Sequence, residues 1–84
     1  MNNSKLDELV NKFGVVIFTK NDCPRCRITK KVLSKQNKKW YEINISQKPD
    51  AIPFLKQEGF ASTPVVFTNQ TQFSGFRPDQ LSKI

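Results

Sequence analysis

An unbroken apolar run, Val15-Val16-Ile17-Phe18, is followed within five residues by Cys23 and then by a helical pattern that contains Cys26. The run is apolar at every position and rich in β-branched residues, so it predicts a central strand covered on both faces. Thr19 to Asp22 form the connecting loop. Pro24 suits the first helical position, where its missing N–H has no helical partner to lose. Cys26, Ile28, Val32 and Leu33 then fall within one broad helical face, so Cys26 is expected to point inward while Cys23 sits at the exposed cap. A strand that delivers a cysteine to the first turn of a helix aims unpaired N–H groups and the positive dipole end at the sulfur, which favours thiolate over thiol. Cys23-Pro24-Arg25-Cys26 is therefore read as a dithiol redox site.

The flanking segments predict the rest of a small α/β domain spanning residues 1–84. Ser4 with Asp7 resembles a capping box, and Leu6, Leu9, Val10 and Phe13 follow at helical spacing up to Gly14. After the polar break Gln36 to Lys39, Tyr41, Ile43 and Ile45 alternate with Trp40, Glu42 and Asn44, a period-two strand that completes a parallel β-α-β unit. Asp50 is expected to cap a helix with Pro53 in its first turn, Ala51, Phe54 and Leu55 on its apolar side and Gly59 at its end. Val65-Val66-Phe67 and Gln72-Phe73 read as a hairpin joined through Thr68 to Thr71, and Gly75 precedes a last short helix with Pro78 in its first turn.

Composition narrows the chemistry. The chain has only two cysteines and no histidine, so a zinc site would be short of ligands within one copy, and a single close pair cannot staple distant segments. No metal is expected unless two copies pool their pairs around zinc or an iron-sulfur cluster. No leader or membrane segment is apparent, which predicts a cytoplasmic protein. The net charge of +7 favours acidic protein partners or weak nonspecific attraction to nucleic acid. Lys30, Lys31, Lys35, Lys38 and Lys39 read more simply as a solvated surface.

The order of elements, with X-Pro ahead of the hairpin, resembles the thioredoxin-like fold in its compact glutaredoxin form: a four-stranded mixed sheet flanked by helices. Within that superfamily the chain resembles the NrdH-redoxin family. The residues that carry this are Thr19-Lys20, the Cys23 and Cys26 pair, Gly59-Phe60, Thr63-Pro64-Val65-Val66 and the run Phe73-Ser74-Gly75-Phe76-Arg77-Pro78-Asp79. That run matches the family's Trp-Ser-Gly-Phe-Arg-Pro-Asp signature at six of seven positions. Three features depart from that pattern: Pro24-Arg25 between the cysteines, which resembles the glutaredoxin Cys-Pro-x-Cys, Phe73 in place of Trp, and a leading helix more typical of glutaredoxins. Against them, Ser74-Gly75 stands where glutaredoxins hold glutathione with Gly-Gly.

The resemblance implies a dithiol-disulfide oxidoreductase that serves as a monomeric electron carrier. It would reduce a class Ib ribonucleotide reductase and be re-reduced by a flavin-dependent thioredoxin reductase. No cofactor is bound beyond the Cys23-Cys26 disulfide, since NADPH and FAD act only through the reductase. Cys23 would be the nucleophile, assisted by Lys20, Pro24 and Arg25, and Cys26 the resolving thiol. Thr63-Pro64 resembles the fold's cis-proline, whose preceding residue pairs with a substrate segment; an ordinary trans proline opening an edge strand is the plainer alternative. Arg25, Phe60, Phe76 and Arg77 would form a partner-facing rim, although Phe60 or Phe76 can equally be core and Arg77 can pin its own helix. Trp40 reads as edge-strand packing. Two rivals are a glutathione-dependent dithiol glutaredoxin and, from another class, a basic nucleic-acid-binding module whose salt-sensitive binding would survive Cys23→Ser.

Overall fold

The computed structural model describes residues 1–84. Its elements run α1 (Asn3–Phe13), β1 (Val15–Thr19), α2 (Pro24–Lys35), β2 (Tyr41–Asn44), α3 (Ala51–Gln57), β3 (Val65–Thr68), β4 (Gln72–Ser74) and α4 (Pro78–Leu81). The strands form one four-stranded sheet in the order β2-β1-β3-β4. β2 runs parallel to β1, with Phe18 opposite Ile43, whereas β3 is antiparallel to both β1 and β4. This is the mixed sheet of the thioredoxin-like glutaredoxin fold.

The uninterrupted apolar character of β1 has a direct cause, because side chains alternate across a strand and both faces of this one are covered. Val16 and Phe18 pack with Leu6, Leu9 and Val10 of α1 and with Phe54 and Leu55 of α3. Val15 and Ile17 pack on the opposite face with Leu33 of α2, Phe73 of β4 and Leu81 of α4. Trp40 joins this second layer just ahead of β2. Burying a Val, Leu, Ile or Phe side chain contributes roughly 1.5–3 kcal/mol, so a two-layer core holds β1, and with it the Cys23 loop, rigidly in place. No helix is long and apolar enough to cross a membrane.

Local chemistry shifts several expected boundaries. The cap of α1 is Asn2, whose side chain accepts the Lys5 N–H at 2.9 Å, and Ser4 lies inside the first turn. Asn caps a helix as well as Ser does, and the earlier start adds helical hydrogen bonds. Asp50 precedes α3 but its backbone is already helical and its side chain makes no cap hydrogen bond; the carboxylate instead faces the Met1 amino group at 3.5 Å. Ile28 also departs from expectation, being 44% exposed. The buried positions of α2 are Cys26, Thr29 and Leu33, and at 3.6 residues per turn Ile28 lies roughly 130° around the helix from them.

Candidate active site

Cys23 occupies the N-cap of α2 with extended backbone angles (φ −115°, ψ 97°), and Pro24 opens the helix. The Cys26 N–H donates to Cys23 Sγ at 3.2 Å, so an otherwise unpaired helix-terminal amide is aimed at the sulfur. Cys23 and Cys26 are joined as a disulfide, with Cα atoms 5.2 Å apart. The loop before them is braced. Ile45 N–H donates to Thr19 C=O at 2.8 Å, Asn21 N–H donates to Ser46 Oγ at 3.1 Å and Asn44 Nδ2 donates to Asn21 Oδ1 at 3.0 Å. Asp22 then turns the chain at φ +56°.

A second element faces the sulfur. Thr63-Pro64 is cis, and the Thr63 hydroxyl lies 3.6 Å from Cys23 Sγ, which carries no hydrogen in the disulfide and therefore accepts. Pro64 C=O accepts the Gly75 N–H at 2.8 Å, which ties the turn to the Phe73–Asp79 segment. Gly75 adopts φ +82°, and a Cβ there would meet nothing within 4 Å, so the need for glycine is conformational and not spatial. The covering by Thr63 corrects one expectation. Cys23 is only 6% exposed and Cys26 2%, so the helix cap is not an exposed position in this oxidised form, whereas the inward placement of Cys26 agrees with the helical pattern.

The remaining candidates divide into contacts made and contacts not made. Lys20 is exposed and lines a groove with Ile45, Ile52, Phe60 and Thr63. Pro24 and Arg25 are exposed at the start of α2. Neither Lys20 nor Arg25 hydrogen-bonds to a sulfur, whose two polar neighbours are the Cys26 amide and the Thr63 hydroxyl. Phe60 and Phe76 are both half-buried but belong to opposite layers, Phe60 edge-on to Phe67 at 5.6 Å and Phe76 against the Phe73 cluster. Arg77 forks onto Asp79 through Nε (3.2 Å) and Nη2 (3.1 Å), pinning the start of α4. That fork raises the Arg77 guanidinium and lowers the Asp79 carboxyl from their ordinary values.

One cluster beside the site had no signal in the linear sequence. Glu42 of β2 accepts from the buried Thr19 hydroxyl at 2.7 Å and from Lys30 Nζ at 3.2 and 3.1 Å. The partners lie 23 and 12 residues away along the chain, at distances that follow no helical or strand period. Partial burial works to raise the Glu42 carboxyl, but the Thr19 hydroxyl and the Lys30 ammonium outweigh it, so the net shift is downward. A lowered carboxyl contributes stability above its unfolded value that is lost as pH falls through the folded one. Glu42→Gln is therefore expected to cost about 1 kcal/mol or less at pH 7, given how exposed the pair is. The difference from the parent should shrink as pH falls below the ordinary carboxylate range and through the lowered Glu42 value. Urea denaturation of both proteins from neutral to acid pH checks this, and a gap that does not shrink in acid would contradict it.

A cysteine pair set between strand and helix, with the turn before a cis-proline held against the first sulfur, defines the class of thioredoxin-fold thiol-disulfide oxidoreductases. Residues 15–73 match the glutaredoxin family. The glutaredoxin-like protein NrdH of Lactococcus lactis subsp. cremoris is 37% identical over 70 residues, covering 83% of this chain and 97% of that one. The solved structure of Escherichia coli NrdH-redoxin superposes with a TM-score of 0.81 at 34% identity, over 83% of this chain and 92% of that one. A glutaredoxin from Archaeoglobus fulgidus shares the fold across 99% of this chain and 94% of its own, with a TM-score of 0.75 at 19% identity. The chain belongs to the glutaredoxin family, among its NrdH-redoxin members, and is a thiol-disulfide oxidoreductase with a Cys23-Cys26 redox disulfide.

Proposed function

We propose that this protein carries electrons to the disulfide of a class Ib ribonucleotide reductase and is re-reduced by a flavin-dependent thioredoxin reductase drawing on NADPH. The observation that carries this choice of partners is Ser74-Gly75 at the position where glutaredoxins place a Gly-Gly pair, within the Phe73–Asp79 run that hydrogen-bonds to Pro64. The E. coli relative supports it, its structure being described as the basis of a thioredoxin-like activity profile. The domain, residues 1–84, acts as a monomer in the cytoplasm and binds no metal.

In the reduced protein the Cys23 thiolate attacks one sulfur of the substrate disulfide. A Cys23–substrate bond forms, the substrate S–S bond breaks, and the departing thiolate takes up a proton. Cys26, one helical turn away, then loses its proton and attacks Cys23 Sγ. That step expels the second substrate thiolate and closes the Cys23-Cys26 disulfide, so the substrate gains the two electrons that the dithiol loses. The Cys26 amide, Pro24 at the helix start and the cations Lys20 and Arg25 favour the Cys23 thiolate. The Thr63 N–H and C=O take no part in the backbone hydrogen bonds of the loops and caps, which suits them to pair with an extended substrate segment beside the sulfur. Phe60, Phe76 and Arg77 flank that path on the partner side.

Side-by-side reduction of the oxidised protein tests the proposal. NADPH with thioredoxin reductase is expected to reduce it at least about tenfold faster than glutathione with glutathione reductase. The groove that Lys20 shares with Phe60 and Thr63 favours the rival reading, a glutathione-dependent glutaredoxin. Turnover with glutathione while thioredoxin reductase stays idle would establish that rival.

A further inference from the structure

Ile28 alone among the large apolar side chains is exposed, at 44%. A single surface hydrophobic needs no explanation, but this one stands over an open groove of about 620 Å³ between α2 and the start of β2, lined by Pro24, Arg27, Ile28, Lys31 and Trp40 among others. Trp40 is half-buried in the core layer beneath and presents its remaining surface to the groove. The one acidic residue lining it, Glu42, is already paired with Lys30, while Arg27 and Lys31 make no ion pair. The groove thus combines an apolar floor with uncompensated positive charge. It also begins at Pro24, the residue after Cys23, so an occupant would be continuous with the redox site, while the groove adjoins the Trp40 layer and the Lys20 groove adjoins the layer of Leu55 and Phe60.

We propose that this groove docks an acidic segment of the partner protein, with an apolar side chain of that segment seated between Ile28 and Trp40 and its carboxylates facing Arg27 and Lys31. Charge complementarity identifies the occupant: in a chain of net charge +7 a basic segment is repelled, and a purely apolar one leaves both cations without counter-charge. Aromatic and Arg residues at a desolvated centre are the usual anchors of protein contacts. The inference rests on the reading that a protein disulfide is the substrate. Its test is binding to the oxidised protein and uses no turnover, so each reading can fail without the other.

The probe is a capped octapeptide, Glu-Asp-Glu-Leu-Phe-Glu-Asp-Glu, titrated into ¹⁵N-labelled oxidised protein at low salt. Amide shifts are expected to concentrate at Arg27, Ile28 and Lys31 and at the Trp40 indole N–H. Replacing the acids by amides, or Leu-Phe by Ser-Ser, should weaken binding about tenfold each. Ile28→Asn and Lys31→Glu should each do the same, with unperturbed spectra elsewhere and unchanged reduction of a small aromatic disulfide by the reduced form. Should Ile28→Asn disturb the fold, the surface change Lys31→Glu decides alone. Shifts centred on Lys20, Phe60 and Thr63, equal binding of the Ser-Ser peptide, or no shifts at millimolar peptide would overturn the proposal. Reduction of insulin by the parent protein, followed separately, reports on the redox reading alone.

Discussion

Replacing Cys23 by serine is expected to lower the rate of disulfide reduction by at least about 10³-fold, because a serine hydroxyl is not ionised near neutral pH and cannot attack a disulfide. The fold should survive. Serine is a good N-cap residue, so it can take over the acceptor role that Cys23 Sγ plays toward the Cys26 N–H. The companion change, Cys26→Ser, leaves the attacking sulfur in place and removes the group that releases the product. It should therefore accumulate a mixed disulfide between Cys23 and the substrate, seen as a covalent adduct under non-reducing conditions and absent after dithiothreitol. Insulin turnover and intact-protein mass spectrometry read the two variants together. Full turnover by Cys23→Ser would remove Cys23 from the mechanism, and adducts formed through Cys26 in that variant would reverse the two roles.

Phe18→Ala is expected to destabilise the protein by about 3–5 kcal/mol, the range for deleting a large aromatic side chain from a core. Phe18 has no exposed surface, and its ring packs edge-on to Phe67 with centroids 5.6 Å apart and against Phe54 at 6.3 Å. It sits in β1, one of the two central strands, so the cavity cannot close by shifting an edge strand. A small domain has only about 5–15 kcal/mol in total, and at this size each kcal/mol moves the melting point by roughly 4–8 °C. The variant should melt at least about 12 °C below the parent. Its redox activity should fall in parallel as the unfolded fraction grows, because the Lys20–Asp22 loop hangs from this strand, which runs through Thr19. A melting point within about 4 °C of the parent would show that Phe18 is not the centre of the layer it occupies.

The contrast between Ile17 and Ile28 shows how far linear reading carries. Both are apolar residues in periodic segments, yet Ile17 is fully buried and Ile28 is exposed. Four consecutive apolar residues leave a strand no polar face, so burial of Ile17 follows whatever covers the sheet. A helix offers a continuous circle of directions, and the side that faces inward depends on how it lies on the sheet. Asn2 and Ser4, two residues apart, are both good caps, and the linear pattern does not choose between them; the helix starts at Asn3 with the Asn2 side chain on the Lys5 N–H.

At the site, the cysteine spacing, Pro24 at the helix start, the strand before them, Gly75 and the hairpin were all readable, because each depends on covalent geometry or on residues within one helical turn or one strand pair. The covering of Cys23 by Thr63, 40 residues away, the Glu42 cluster with Thr19 and Lys30, and the open groove between Ile28 and Trp40 were not. Local propensity acts through neighbours along the chain and determined which elements form and which atoms carry the chemistry. How those atoms are covered, paired and approached was decided by the stacking of α2 and the Pro64 turn on the sheet, since long-range contacts arise from the shape of the packed layers and leave no period in the sequence.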